Sequence, residues 1–197
     1  MNHEVTDRTF SIEEESYMFL LFAHFFYGNF DHVKELLNRD LPSIILEEIG
    51  PIITKSKNTS DEEFKVQYEN LFYIPGPHYV PPYVASHLHD KHDDQSETAF
   101  LETLAKRYEK EGFLPFAEEK FLRIDHLGTL FMFQHFLLMK QMETEDNIHS
   151  KNSTNIFQEY VVPSYGTFEK KVSEQLEFGI CLDFVQQIHK MMDIENQ

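Results

Sequence analysis

Residues 124–142 are apolar on nearly every face of a helix, and this segment most restricts how the chain can fold. A helix of this kind must be covered on several sides, so it requires other elements packed around it. We therefore expect a central helix that forms the spine of the fold. Its apolar positions include Leu127, Leu130, Phe131, Phe133, Leu137 and Leu138.

Helical signals also cover most of the remaining chain. Ser11 followed by Glu14 forms a capping-box pattern, which predicts a long first helix as far as about Tyr27, and Ser60 begins a second such pattern. No segment alternates apolar and polar residues over the length of a strand. The sequence predicts an all-α fold, a single helical-bundle domain spanning residues 1–197.

Glycines, prolines and polar stretches set the other predicted boundaries. Gly50 and Pro51 are expected to end the third helix near residue 49, and Gly112 to end a later one. Polar residues 54–59 are predicted to form a loop. Mobile loops are expected at about 87–95 and 143–152. The remaining helices are predicted at about 31–39, 42–49, 60–72, 96–111, 153–162 and 166–192, the last broken near Phe178 and Gly179.

The charge balance limits the possible partners. Lys and Arg number 17 against 34 Asp and Glu, for a net charge of −17. Such a chain repels phosphate backbones, which argues against nucleic-acid binding and favours a cationic partner. Excess acid that only keeps the protein in solution remains an equal alternative.

A few features of the sequence limit the cellular compartment of the protein and the kinds of site it can form. Cys181 is the single cysteine, which excludes an intramolecular disulfide and a multi-cysteine metal site, and we expect it in the core. The first residues lack the basic flank and apolar stretch of a secretory signal. The apolar run at residues 18–30 is too short for a membrane span. A cytoplasmic protein is expected.

Two motifs resemble those of a known chaperone family. Residues 68–86 read YENLFYIPGPHYVPPYVAS, and residues 125–128 read DHLG. Four prolines exclude a helix after Tyr73. Tyr-x-x-Leu-Phe, a Pro-Gly loop, Pro-Pro-Tyr-x-Ser and, about 40 residues later, Asp-His are typical of the TorD/DmsD/NarJ superfamily of redox-enzyme maturation chaperones. Residues 159–178 give a third, less specific similarity.

Three positions depart from the family pattern. Tyr83 and Ser86 are separated by two residues where the family has one. Leu130 stands where the family commonly has an acidic residue, and Tyr165 lies near the position of a usual Trp. The departures leave the subfamily open.

The resemblance implies a TorD-like, non-enzymatic chaperone that needs no cofactor or metal of its own. Such a chaperone binds the twin-arginine signal peptide of a molybdenum-containing oxidoreductase during assembly and cofactor loading. A monomer is expected, with no nucleic-acid partner and no stable membrane insertion. The expected peptide-binding residues are Leu71, Phe72, Pro81, Pro82, Tyr83, Ser86, Asp125 and His126.

Physical chemistry gives each of these residues a possible role. A carboxylate can pair with a guanidinium through two bonds, and the motif match makes Asp125 the candidate partner of a client arginine, whereas its place at a helix start alone would favour a helix N-cap. His126 could hold the peptide backbone or orient Asp125. The apolar residues and prolines would form a rigid wall or, equally, a core loop.

Two other functions remain open. A NarJ-like chaperone would bind the tail of a client that is not exported. A metal-dependent phosphohydrolase of the HD type would need ligands from a polar loop rich in His and Asp. The candidates for such a site are His87, His89, Asp90, His92, Asp93 and Asp94, which cluster in one loop without a preorganising frame.

Overall fold

The computed structural model describes residues 10–88, 94–115, 123–144 and 157–194 and contains only helices and loops in those ranges. The predicted all-α fold is confirmed. Single π-helical turns continue the fourth helix over Glu69–Tyr73 and precede the eighth over Phe157–Val161. The helices are α1 (Ile12–Phe26), α2 (Phe30–Leu37), α3 (Ser43–Asn58), α4 (Asp61–Tyr68), α5 (Ala85–Leu88), α6 (Asp94–Glu111), α7 (Leu127–Thr144), α8 (Val162–Gln175) and α9 (Ile180–Ile194).

Helix α7 lies at the centre, as predicted. Its six predicted core residues are all buried, and α1 packs along it in the most extensive helix–helix contact of the described residues. Phe131 stacks on Phe26 with ring centroids 5.7 Å apart and meets Phe22 edge-on. Since the chain has no tryptophan, phenylalanine rings supply much of this interior.

A glycine allows α1 and α7 to approach closely. A Cβ atom at Gly128 would lie 2.9 Å from Cδ1 of Tyr27, which is closer than packed atoms tolerate. The Tyr27 hydroxyl donates to Oγ1 of Thr129 at 3.2 Å, one residue further along α7. The glycine of the Asp-His-Leu-Gly motif is therefore required by packing.

The two serines predicted to begin capping boxes, Ser11 and Ser60, are both N-caps. Ser11 and Glu14 form the capping box of α1, and the Ser60 hydroxyl accepts the Glu63 N–H at 3.2 Å. Phe64 and Tyr68 of α4 and Leu71 and Phe72 of its π-helical continuation are buried. None of the helices in the described ranges is long and apolar enough to cross a membrane.

Helix α3 contradicts two predictions. It continues through Gly50 and Pro51 to Asn58, so the predicted end near residue 49 and the predicted loop at 54–59 are wrong. A residue that precedes proline normally avoids helical geometry because its Cβ collides with the proline ring. Gly50 has no Cβ, and Ile49 and Ile52 are buried on either side of the pair. Packing therefore outweighs the hydrogen bond that Pro51 cannot donate.

Other helix boundaries differ from the predictions more modestly. Helix α2 begins at Phe30, one residue before its predicted start, so Asp31 lies in its first turn, where a negative charge is favourable. Helix α8 begins at Val162 instead of residue 166, with Pro163 in its first turn. The break near Gly179 is confirmed.

The loop predictions can be compared only in part. His87 and Leu88 belong to α5, residues 94–95 to α6 and residues 143–144 to α7, so the predicted loops are wrong at these edges. Their remaining residues, 89–93 and 145–152, lie outside the described part of the chain.

His87 connects the proline segment (residues 73–84) to the bundle. Its Nε2 lies 2.7 Å from the Pro81 carbonyl oxygen, which can only accept, so the proton is on Nε2. Nδ1 lies 3.1 Å from Lys171 Nζ, and the ring meets Phe168 edge-on. Burial lowers the pKa of His87 to about 4; the Pro81 hydrogen bond opposes this shift and the Lys171 charge adds to it.

Gly28 provides a test of the turn between α1 and α2. Its φ is +68°, and an added Cβ would lie 2.8 Å from Cε1 of Tyr68, whose hydroxyl is fixed by the Phe26 carbonyl. We expect Gly28→Ala to lower the free energy of unfolding by about 1–3 kcal/mol in urea titrations. The matched control is Gly166→Ala within α8, where a Cβ meets only ordinary contacts and should stabilise by about 0.5–1 kcal/mol. Equal effects would contradict this account.

The buried neutral His87 predicts a loss of stability in acid. Because its folded pKa of about 4 lies below the usual 6.5, the unfolded chain takes up a proton first as pH falls. The free energy of unfolding should therefore decrease between about pH 6.5 and pH 4, by up to about 3 kcal/mol. His87→Gln, which can still donate to Pro81, should lack this component in urea titrations across that range. Parallel profiles for the two proteins would show that His87 does not titrate this way.

Candidate functional site

The proline segment and the start of α7 are held together by backbone pairing. Tyr83 and His126 form an antiparallel bridge. On either side of it, the Val84 N–H donates to the Asp125 carbonyl at 3.0 Å and the Leu127 N–H donates to the Pro82 carbonyl at 2.9 Å. The two motifs of the sequence, about 40 residues apart, therefore meet at one place.

Asp125 lies at the centre of this junction and is fully buried. Its Oδ1 accepts from Arg123 Nε at 2.9 Å, and its Oδ2 accepts from Arg123 Nη2 at 3.1 Å. Oδ2 also accepts the Ala85 backbone N–H at 3.1 Å. The carboxylate is thus held by a two-pronged guanidinium on one side and by the chain after the proline segment on the other.

His126, not Asp125, caps the central helix. Its Nδ1 accepts the Gly128 N–H at 3.1 Å, while its ring stacks on Tyr27 and meets Tyr83 edge-on. Only 2 % of its surface is exposed. The N-cap interpretation of Asp125 is therefore wrong, because α7 begins at Leu127 and the helix end is already satisfied by His126.

Burial and pairing act against each other on Asp125. Burial raises the pKa of its carboxyl, and the Arg123 charge, followed by hydrogen bonds from Ala85 and Arg123, opposes that rise. Desolvation pulls the pKa of Arg123 down, but Asp125 and Glu97 outweigh it and leave that pKa raised. The raised pKa of Asp125 favours its neutral form, whereas the raised pKa of Arg123 favours its charged form. The hydrogen-bond geometry decides that Asp125 is ionised, because both carboxylate oxygens accept from one guanidinium.

Two residues that the sequence interpretation missed complete this site. Nη2 of Arg123 also donates to Glu97 Oε1 at 2.5 Å, and the guanidinium carbon lies 5.2 Å from the centre of the Tyr83 ring. Arg123 is 42 % exposed and Glu97 41 %, so both reach the surface above the buried Asp125. A signal for Arg123 was available: a buried aspartate needs a cationic partner, and an arginine stands two residues before it.

The predicted apolar wall separates into buried and accessible parts. Leu71 and Phe72 are 1 % and 4 % exposed and pack in the core. Pro82 is buried as well, whereas Pro81 and Tyr83 are half-buried and Ser86 is exposed. Of the residues in this wall, only Pro81, Tyr83 and Ser86 could touch a ligand without rearrangement. A role in peptide binding stays a prediction for all of the predicted site residues.

The residues proposed for a metal centre are not brought together in the described part of the chain. His89, Asp90, His92 and Asp93 lie outside it, and His87 is engaged by Pro81 and Lys171. The described residues contain no group of three or more side chains suited to holding a metal ion. Cys181 is buried as predicted, and burial raises the pKa of its thiol.

Comparison with known proteins identifies the family. Residues 33–163 match the family described as nitrate reductase delta subunit, which is well over half of the chain and includes both motifs that meet at Asp125. No curated protein and no solved structure matches the chain. The resemblance seen in the sequence is confirmed, and the chain belongs to the nitrate reductase delta subunit family of NarJ/TorD-type chaperones.

Proposed function

We propose that this protein is a cytoplasmic chaperone that binds the twin-arginine signal peptide of a molybdenum-containing oxidoreductase while that enzyme is assembled and loaded with its cofactor, before export. Membership in a chaperone family supports the assembly role and a non-catalytic protein. The molybdenum cofactor would belong to the client, and the chaperone would contribute only a binding surface.

One observation carries the signal-peptide part of the proposal, namely the guanidinium site around Asp125. A buried carboxylate offers both oxygens to one guanidinium, Glu97 contacts the same group, and the face of Tyr83 lies beside it. A fork-shaped acceptor, a second carboxylate and an aromatic face are the features that distinguish arginine from lysine. The chain therefore has the chemistry needed to recognise an arginine side chain.

The proline segment would provide contacts for the apolar part of a signal peptide. It carries Tyr73 and Ile74, which are 63 % and 49 % exposed, at one end and Tyr83 at the other. Prolines restrict its backbone, so little conformational freedom would be lost on binding. The overall charge of −17 would favour approach of a cationic peptide.

A NarJ-like function is the second candidate. The description of the family as nitrate reductase delta subunit favours it. A NarJ-like chaperone would bind the tail of a molybdoenzyme subunit that is not exported. Asp125 is already paired with Arg123, which also fits a chaperone that does not need a client arginine. The two candidates differ in whether binding depends on an arginine pair.

Calorimetric titration with twin-arginine signal peptides of molybdoenzymes, each beside its twin-lysine variant, tests the proposal. We expect a dissociation constant in the micromolar range, about −8 kcal/mol, for the arginine form and weaker binding of the lysine form, because lysine cannot make two parallel bonds. Equal affinity for both forms would favour the NarJ-like function. No binding to any of the peptides would contradict the signal-peptide proposal.

Asp125→Asn tests the carboxylate directly. The asparagine can still accept the Ala85 N–H but carries no charge, so peptide binding should weaken by about 1–3 kcal/mol. Asp183→Asn is the matched control, since Asp183 also pairs with a cation, Lys55, on a different part of the chain. It should bind the peptide like the wild type. Thermal unfolding of both variants must accompany the titrations, because a large loss of stability in Asp125→Asn with unchanged affinity would make Asp125 purely structural.

A further inference from the structure

We propose that Arg123 is an internal occupant of the arginine site, formed by Asp125, Glu97 and Tyr83, and that an arginine of the client displaces it. This inference rests on the proposed function and makes it more specific. In the absence of client the chaperone would satisfy its own site, and binding would be an exchange of one guanidinium for another.

The contacts around Arg123 are complete. Its Nε and Nη2 each donate to a different oxygen of Asp125, at 2.9 and 3.1 Å, and Nη2 also donates to Glu97. The Tyr83 ring lies 5.2 Å from the guanidinium carbon. Any guanidinium that replaced Arg123 would find the same partners.

Contacts other than those with Arg123 also hold Asp125 in place. Its Oδ2 accepts the Ala85 N–H, and its carbonyl accepts the Val84 N–H. The next residue, His126, is locked by the Gly128 N–H and by stacking on Tyr27. The acceptor would therefore keep its position when Arg123 leaves, and an incoming arginine would meet a preorganised carboxylate.

Asp125 and Arg123 differ in their exposure to solvent. Asp125 is fully buried, whereas the Arg123 side chain is 42 % exposed and covers it from the solvent side. Arg123 can move outward into water, where a guanidinium is well solvated, but Asp125 cannot follow. An unpaired buried carboxylate is strongly unfavourable, so Arg123 should leave only when another cation takes its place.

Exchange of this kind explains selectivity and release together. A lysine could replace only one of the two bonds that Arg123 makes with Asp125, so arginine would displace Arg123 and lysine would not. The ion pair formed with the client equals the one that is lost, which keeps the net affinity modest. When the client dissociates, Arg123 returns and closes the site.

The test compares Arg123→Ala with the wild type in titrations with a twin-arginine signal peptide. Removal of the competitor should tighten binding by about tenfold or more, because the apparent affinity equals the intrinsic affinity multiplied by the fraction of molecules whose site is free. Arg123→Lys, which keeps a charge near Asp125 and preserves folding, should tighten binding by a smaller factor. Arg39→Ala is the matched control, since Arg39 pairs with Glu35 on the surface of α2, and should not change affinity.

A small probe gives an independent readout. L-argininamide should raise the melting temperature of Arg123→Ala by filling the vacated site, and it should raise that of the wild type less, because Arg123 competes for the site. L-lysinamide at the same concentration should do neither. Equal shifts with both amides, or no shift in a folded Arg123→Ala protein, would overturn the proposal that the site accepts an external guanidinium.

The outcomes separate this inference from the proposed function. If the wild type binds the peptide and folded Arg123→Ala or Arg123→Lys binds no tighter, displacement is wrong and the signal-peptide proposal stands. If neither the wild type nor the variants bind any twin-arginine peptide, both are wrong. Binding that is weak in the wild type and strong in Arg123→Ala supports both.

Discussion

The close packing of α1 against α7 is the constraint on which the functional site depends. Gly128 lets the Tyr27 ring reach the α7 backbone, and Tyr27 in turn stacks on His126 and donates to Thr129. These contacts fix the first turn of α7 and therefore the position of Asp125, which immediately precedes His126. Backbone pairing from Asp125 and Leu127 then positions the proline segment. The surface site is thus aligned by interactions that begin in the core.

Local signals in the sequence predicted much of the fold because they act over a single turn. The capping box at Ser11 and the serine N-cap at Ser60 satisfy backbone donors within three residues, and the apolar face of α7 requires cover wherever it lies. Helix α3 was predicted wrongly because its continuation past Pro51 depends on burial of Ile49 and Ile52 and on the missing Cβ of Gly50. Those contributions come from tertiary packing, with α9 among the neighbours of α3.

The site was predicted only in outline, for a related reason. Motif resemblance pointed to Asp125, His126 and the proline segment, but the sequence analysis considered only Asp125 as a cap of α7, and the capping residue is His126. This role follows from the turn in which the His126 N–H donates to the Arg123 carbonyl, which also places the Arg123 side chain beside Asp125. Glu97 reaches the site from α6, and nothing in the local sequence pairs it with Arg123. Glu97 is far from Arg123 along the chain, so the local sequence does not predict their contact. The need of a buried Asp125 for a cationic partner was evident.

Cys181 gives the folded protein a particular relation to oxidants. It is the sole thiol of the chain, it is fully buried in α9, and burial raises its pKa, so the reactive thiolate is scarce in the native state. Cross-linking of two molecules through sulfur would require α9 to separate from the core first. Disulfide-linked dimers of this chain would therefore form only from molecules that have unfolded. The native protein can contact redox enzymes without undergoing thiol exchange.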